Sequence, residues 1–311
     1  MKNSIFCLLL IASFISCKQE SPKKTTTTNI EAITLLGDTI YTKLTTSESA
    51  LDKYNLAKAD YLLDTQSADA IIWYGRRTAY TGQYQKAITI FTEGIEKHPE
   101  DARMYRHRGH RYITTRQYDK AIADFEKAVT LIKDKEDIVE PDGLPNAKNI
   151  PLSTLHGNIW YHLGLTYYLK NDMPNALRAY SNRTVTEKYP DNAVSGGYWL
   201  YMIQRRLGNA EEANASIATI IKDMDIIENM SYHTMCLLYK GLLTESDIAS
   251  DAIGTSSSDV LSYGLGNWTL YEKQDAAKAK EHYKRLLADG SKFSFAYLAA
   301  ESDWKRLFLE D

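Results

Sequence analysis

The sequence GRRTAYTGQYQKAITIF, residues 75–91, recurs in altered form 34 residues later as GHRYITTRQYDKAIADF, residues 109–125. A third copy, GLTYYLKNDMPNALRAY, occupies residues 164–180. In every copy an alanine follows the first glycine by 12 residues, and an aromatic residue follows that alanine by four. A period of roughly 20–50 residues is typical of arrays in which each repeat packs on its neighbours.

The spacing within each copy is compatible with two helices that pack closely on each other. Alanine and the aromatic residue, at i and i+4, lie on one face of the second helix. The small residues Gly75, Gly109 and Gly164 stand where the first helix must let the second approach closely. Gly82 supplies the turn between the helices of the first copy, and Pro99 follows the end of its second helix.

These residues and their period resemble the tetratricopeptide repeat, which implies an all-α solenoid of helix-turn-helix repeats. The array is expected to run from residue 48 to residue 311, with an atypical N-terminal helix and a C-terminal capping helix. Its segments are expected at residues 68–101, 102–135 and 157–190, with weaker repeats at 194–227 and 260–293 and an insertion loop at 136–156.

The N-terminus is predicted to direct the chain to the cell envelope. A positive start is followed by an apolar run at residues 5–15, which is too short to span a bilayer. Ser16-Cys17 and the charged residues after it resemble a bacterial lipoprotein signal. The resemblance implies removal of residues 1–16, acylation of Cys17 and an outer-membrane location, with the leaflet left open. The alternative is an ordinary secretory signal with an incidental cysteine.

Residues 17–47 are expected to form a tether and lead-in to the array. Lys18 to Asn29 is polar and without aliphatic residues, so it cannot bury enough surface to become ordered.

Composition excludes several classes of protein. Lys and Arg number 37 against 40 Asp and Glu, which argues against a nucleic-acid binder. Three cysteines exclude a disulfide-stapled scaffold and a cysteine-built zinc module. No phosphate-binding glycine-rich loop, nucleophile elbow or zinc-protease motif occurs, so neither an enzyme nor a cofactor is expected.

The first helices of the repeats are expected to line a concave groove. In the second repeat, Arg106 and His110 fall on the stripe that faces it, and Arg76 falls there in the first. Because a guanidinium binds carboxylate or phosphate in bidentate fashion, these three residues predict an anion site. The complete set of predicted binding residues is Arg76, Tyr80, Arg103, Arg106, His107, His110, Asn158, Tyr161 and Tyr168.

An alternative interpretation is a solvated basic face, with Glu100, Asp101 and Asp124 as partners of the arginines. No metal is expected, because His107 and His110 lack a recognisable third ligand and the arginines oppose a dication.

The insertion contains Glu140-Pro141-Asp142-Gly143 and two further prolines. Two interpretations stay open: a lid over the groove and a surface excursion. Together with residues 106–111 and 160–164, this loop resembles one group of bacterial tetratricopeptide proteins over roughly residues 70–185. That resemblance implies architecture and no chemistry.

Two functions are compatible with this pattern. The first is a membrane-tethered scaffold that binds a partner protein or peptide with acidic groups through its concave face. The second is an envelope receptor for an anionic small molecule or glycan, in a pocket closed by residues 140–154. An enzyme that uses His107 or His110 as a general base with Glu140 or Asp142 is a distant third possibility.

Overall fold

The fold is all-α, as predicted. The computed structural model describes residues 29–184, 189–248 and 255–309, and within these ranges there are thirteen α-helices and one two-stranded β-hairpin. The predicted signal peptide and Cys17 lie outside the described residues. No helix in the described ranges is long and apolar enough to cross a bilayer.

Consecutive helices form five pairs, and each pair contains a first helix, A, and a second helix, B. The pairs are α2 (Ala68–Tyr80) with α3 (Tyr84–Lys97), α4 (Ala102–Thr114) with α5 (Tyr118–Ile132), α6 (Leu155–Leu169) with α7 (Met173–Thr184), α8 (Pro190–Leu207) with α9 (Ala210–Ser216), and α11 (Ser256–Tyr271) with α12 (Ala276–Asp289). The remaining elements are β1 (Ile30–Ile33), β2 (Thr39–Tyr41), α1 (Glu48–Leu63), α10 (Met230–Tyr239) and α13 (Phe295–Leu307).

The fourth pair differs from the expected repeat at both ends. Helix α8 begins at Pro190, before the predicted start at residue 194, because proline is favoured in the first turn of a helix. Helix α9 has only 7 residues and ends at Ser216.

A residue with left-handed backbone lies in the turn between the A and B helices of each pair. Its φ is +87° at Gly82 and +82° at Gly208. The corresponding values are 62° at Arg116, 60° at Asn171 and 55° at Gln274. Glycine and asparagine tolerate this conformation, whereas for an arginine it is unusual. The side chain of Arg116 is held by interior contacts, described below.

Close approach of the helices within a pair depends on a glycine in helix A that faces an aromatic ring in helix B. The pairs are Gly75–Phe91, Gly109–Phe125, Gly164–Tyr180 and Gly266–Tyr283. A methyl group on these glycines would lie 2.5, 2.9, 2.6 and 2.6 Å from the respective ring. The first three pairs have the spacing seen in the sequence. The fourth is one residue longer, and it shows that the last helical pair packs in the same way.

The lead-in to the array contains a β-hairpin packed on the first repeat. Strands β1 and β2 pair antiparallel, with Ile30 opposite Tyr41. The buried carboxylate of Glu31 accepts a hydrogen bond from the backbone N–H of Gln85, at 2.8 Å. Within the predicted tether and lead-in at residues 17–47, residues 30–41 are therefore an ordered lead-in, because this carboxylate and the buried Ala32 and Ile40 give the segment a packed side.

Helix α13 joins the two ends of the array. It packs against α6, α11 and α12. The fully buried Glu301 accepts a hydrogen bond from the backbone N–H of Leu35 at 2.9 Å, and its other oxygen lies 3.1 Å from Nε of Arg116. We refer to Leu35, Arg116 and Glu301 as the closure cluster. Through it the N-terminal hairpin, the second repeat and the last helix meet.

Candidate functional site

The predicted binding residues lie on three A helices. Helix α2 carries Arg76 and Tyr80, helix α4 carries Arg103, Arg106, His107 and His110, and helix α6 carries Asn158, Tyr161 and Tyr168. We refer to the surface that α2, α4 and α6 form as the A-helix face. The insertion and helix α13 both pack on this face.

The insertion folds back onto α2 and α4. Its two ends pair with each other, as the backbone N–H of Glu140 donates to Ser153 and that of Leu155 to Ile138. Arg76 donates to the carbonyl of Pro141 at 2.8 Å, and Arg77 donates to that of Gly143 at 2.7 Å. The insertion is therefore held against helix α2 by these two arginines.

Glu140 supplies the anion for the predicted anion site. One of its oxygens lies 3.1 Å from Nε of Arg106 and accepts a hydrogen bond from Asn158 at 3.0 Å. The other lies 3.7 Å from His107. Arg106 and Glu140 are both buried, so this ion pair is screened little by salt. The groove thus already holds a carboxylate from its own chain.

Two arginines of the basic helix have acidic partners, as the alternative interpretation expected. Arg108 makes a bidentate contact with Asp124, with distances of 2.8 and 2.7 Å. Arg103 contacts both Asp101 and Asp69 at 2.6 Å. Hydrogen bonding to Asp101 and Asp69 raises the pKa of Arg103 despite its partial burial. Arg108 therefore has a structural role, whereas Arg103 remains partly accessible.

Three of the four histidines on this face, His107, His110 and His162, lie close to one another. His107 and His162 are buried and His110 is partly exposed. The rings of His110 and His162 have centroids 4.5 Å apart, and Arg106 donates to Nδ1 of His107 at 3.0 Å. Burial, reinforced by neighbouring arginines, lowers the pKa of His107, His110 and His162 well below the ordinary value. All three are neutral at pH 7. Among the described residues, no group of three or more His, Cys, Asp or Glu side chains is arranged to hold a metal.

The predicted ligand contact of Tyr168 is wrong, because its side chain is buried, whereas Tyr161 is partly exposed. Tyr168 is 2% exposed, and its hydroxyl lies 2.6 Å from that of Tyr263. The hydroxyl of Tyr161 accepts a hydrogen bond from the indole N–H of Trp199 at 2.9 Å. Helices α8 and α11 supply these partners, so this end of the A-helix face belongs to the core of the array.

The open part of the site consists of two adjoining clefts between the A helices and the insertion. One has a volume of about 520 Å³ and is lined by Pro99, Ile132 and His156 among others. The other, of about 230 Å³, is lined by Trp73 and Glu140 among others. Arg103, Ile138 and Leu155 line both clefts. We refer to them together as the paired clefts.

Trp73 and Arg111 lie in this region but are not in the predicted set of binding residues. Trp73 packs against the guanidinium groups of Arg76 and Arg77, at 4.3 and 4.9 Å from its ring centroid. Arg111 belongs to the sequence of residues 106–111 noted above. Its guanidinium lies 5.7 Å from the ring centroid of Tyr84. Trp73 precedes Arg76 by three residues, the spacing of neighbours on a helix surface, so that signal was present in the sequence.

Comparison with known proteins identifies the repeats. Residues 75–136 match the family model of the tetratricopeptide repeat, which covers most of α2 to α5. The structure is similar to that of YrrB, described as a TPR protein with an unusual peptide-binding site. The identity is 16%, the match covers 82% of this chain and 100% of YrrB, and the TM-score is 0.44. It is also similar to BtubC from P. vanneervenii, at 14% identity over 85% of this chain and 91% of BtubC, with a TM-score of 0.43. No curated protein sequence matches the chain.

Proposed function

We propose that this chain, an all-α solenoid that carries tetratricopeptide repeats, is a lipid-anchored scaffold of the bacterial cell envelope. It binds a partner protein or peptide through its concave, A-helix face. The observation that carries the proposal is the pair of adjoining clefts, of about 520 and 230 Å³, between the A helices and the insertion.

The shape and lining of the paired clefts favour a peptide. They adjoin along Arg103, Ile138 and Leu155, so an occupant can extend from one into the other. Ile138 is 50% exposed beside charged side chains, which gives a surface of mixed apolar and polar character. Such a surface suits an extended segment that places apolar and charged side chains in alternate positions.

The partner is expected to carry an acidic group that reaches Arg103. The side chain of Asp69, one of the two carboxylates on Arg103, is 74% exposed, so that ion pair is weak and exchangeable. A partner's carboxylate can take the place of Asp69 on the same guanidinium. Asp101 stays on Arg103 and keeps the side chain oriented.

The receptor alternative has little support from this geometry. The cleft enclosed by the insertion, at about 230 Å³, is below the roughly 300–1,000 Å³ of typical small-molecule pockets.

Replacing Arg103 with glutamine is expected to weaken binding of an acidic peptide by about 1 kcal/mol, roughly fivefold in Kd. The peptide is selected from a random library on the wild-type protein, and its Kd is measured by fluorescence anisotropy. The matched control is Arg178→Gln, because Arg178 is a partly exposed arginine that pairs with Glu126 and lines neither cleft. Equal losses in the two variants, or selected peptides without acidic residues, would contradict the proposed site.

The anchor is tested separately. Cys17→Ser is expected to move most of the protein from the membrane fraction to the soluble fraction of the cell, because the acyl chains supply the membrane affinity. Metabolic labelling with a palmitate analogue should label the wild-type chain and not the variant. The matched control is Cys236→Ser, since Cys236 is buried and far along the sequence. Unchanged fractionation of Cys17→Ser would show that the chain is not a lipoprotein.

A further inference from the structure

A small cavity lies between helices α2 and α4, beneath the insertion. Its volume is about 20 Å³. Its polar lining consists of three arginines together with a tyrosine and two histidines: Arg76, Arg106, Arg111, Tyr80, His107 and His110. The cavity therefore concentrates N–H donors around a space of roughly one water molecule.

Positive charge around this cavity exceeds negative charge. Glu140 forms an ion pair with Arg106. In the described part of the chain, no carboxylate lies within ion-pair distance of Arg76 or Arg111. Arg76 has the carbonyl of Pro141 and the ring of Trp73, and Arg111 has the ring of Tyr84. Within ion-pair distance the three guanidinium groups share one carboxylate, and Asp142 interacts with Arg76 from a longer distance, so positive charge is in excess.

Two of the arginines also have unused donors. Nε of Arg76 and Nε of Arg106 are buried and form no hydrogen bond. The Nε of Arg106 is close enough to Glu140 for an ion pair, but the geometry does not make a hydrogen bond. A buried donor without an acceptor costs about 1–3 kcal/mol, so an acceptor in the cavity would stabilise the fold.

The other polar groups around the cavity do not compensate the charge. His107 and His110 are neutral because burial lowers the pKa of each. Burial also lowers the pKa of Arg111, but only to about 10, so this group remains protonated at pH 7. The excess of positive charge therefore persists at physiological pH.

We propose that this cavity binds a single small inorganic anion, which under physiological conditions is chloride. A halide ion is little larger than a water molecule, whereas phosphate, sulfate and a carboxylate have several heavy atoms and exceed the space. The anion accepts hydrogen bonds from the guanidinium groups and offsets their mutual repulsion. The cavity shares Arg76 and His107 with the smaller of the paired clefts, whereas Arg106, His110 and Arg111 line the cavity and neither cleft. The anion can therefore be tested without the partner.

The test compares the thermal unfolding of the full chain in chloride, bromide, sulfate and gluconate at equal ionic strength. Chloride and bromide are expected to raise the Tm with the logarithm of their concentration above Kd, by on the order of 3 °C at a tenfold excess over Kd. Sulfate and gluconate are too large to enter, so the Tm in gluconate sets the baseline. Equal Tm values in chloride and gluconate would overturn the proposal.

Two variants on helix α4 locate the effect. Arg111→Gln is expected to lose the halide-specific rise in Tm. Arg108→Gln is the matched control and should keep it, because Arg108 pairs with Asp124 and does not line the cavity. If Arg111→Gln fails to fold, anomalous scattering from a bromide-soaked wild-type crystal shows whether the cavity holds a halide ion. A peak between the three guanidinium groups supports the site, and its absence there refutes it.

Discussion

Replacing Glu301 with alanine is expected to lower the free energy of unfolding by about 3–5 kcal/mol. Arg116 and Glu301 are almost completely buried, with side-chain exposures of 2% and 0%. Removal of the carboxylate leaves the cation of Arg116 in the interior with only the carbonyls of Thr114 and Lys292. It also leaves the backbone N–H of Leu35 without an acceptor. Urea denaturation followed by circular dichroism measures the loss.

Two further variants show whether burial is the cause. Glu126→Ala removes the carboxylate of the more exposed ion pair with Arg178 and should cost less than about 1 kcal/mol. The double variant Arg116→Met with Glu301→Met removes both charges and should recover part of the stability lost in Glu301→Ala. A loss of less than about 1 kcal/mol for Glu301→Ala would mean that the closure cluster does not hold the ends of the array together.

Acidification below pH 6.5 is expected to destabilise the fold steeply. His107, His110 and His162 are neutral in the folded protein because burial and nearby Arg76, Arg106, Arg111 and Arg183 lower the pKa of each. In the unfolded chain their pKa is near the ordinary value of about 6.5, so below this pH the unfolded chain binds more protons. Stability is fully present above that pH and falls below it. The limiting slope for three protons is about 4 kcal/mol per pH unit.

Carboxyl groups in the interior partly oppose this trend. Burial raises the pKa of Asp124 and of Glu301, so the folded protein protonates them more readily than the unfolded chain does. The histidine contribution is therefore isolated by substitution. His110→Gln should reduce the slope between pH 6.5 and pH 5 by about 1.4 kcal/mol per pH unit.

The matched control for this slope is His98→Gln, because His98 bonds the carbonyl of Gln66 at the surface, outside the cluster. Urea denaturation at several pH values gives the slope for each protein. If His110→Gln and His98→Gln have the same slope as the wild type, His110 is not buried in its neutral form.

The repeats were predictable because their determinants are local. Gly109, Ala121 and Phe125 lie within 17 residues of one another, and the same spacing occurs in two other copies. The last helical pair was predicted only as a weaker repeat, because Gly266 and Tyr283 are one residue further apart than the glycine and aromatic residue of the other copies. One additional residue between the glycine and the aromatic ring breaks the sequence period, but the packing of the two helices is unchanged.

The site was predictable in part. The A helices and their basic stripe follow from the period of a helix. The segments that cover these helices do not follow from that period. The contact of Arg116 with Glu301, for example, joins residues 185 apart and repeats nowhere in the sequence pattern. Glu140 lies in a loop whose path is set by tertiary contacts. The same reason explains the tyrosines: Tyr168 and Tyr263 are 95 residues apart and were not recognised as partners.

The contact between Leu35 and Glu301 bears on how the chain reaches its native state. It joins residues 266 apart, so it cannot form until Glu301 has been synthesised. While the last helix is missing, the first repeats lack the carboxylate that Arg116 needs and remain less stable. The closure cluster therefore makes completion of the native state depend on the last helix, whatever the stability of the first repeats.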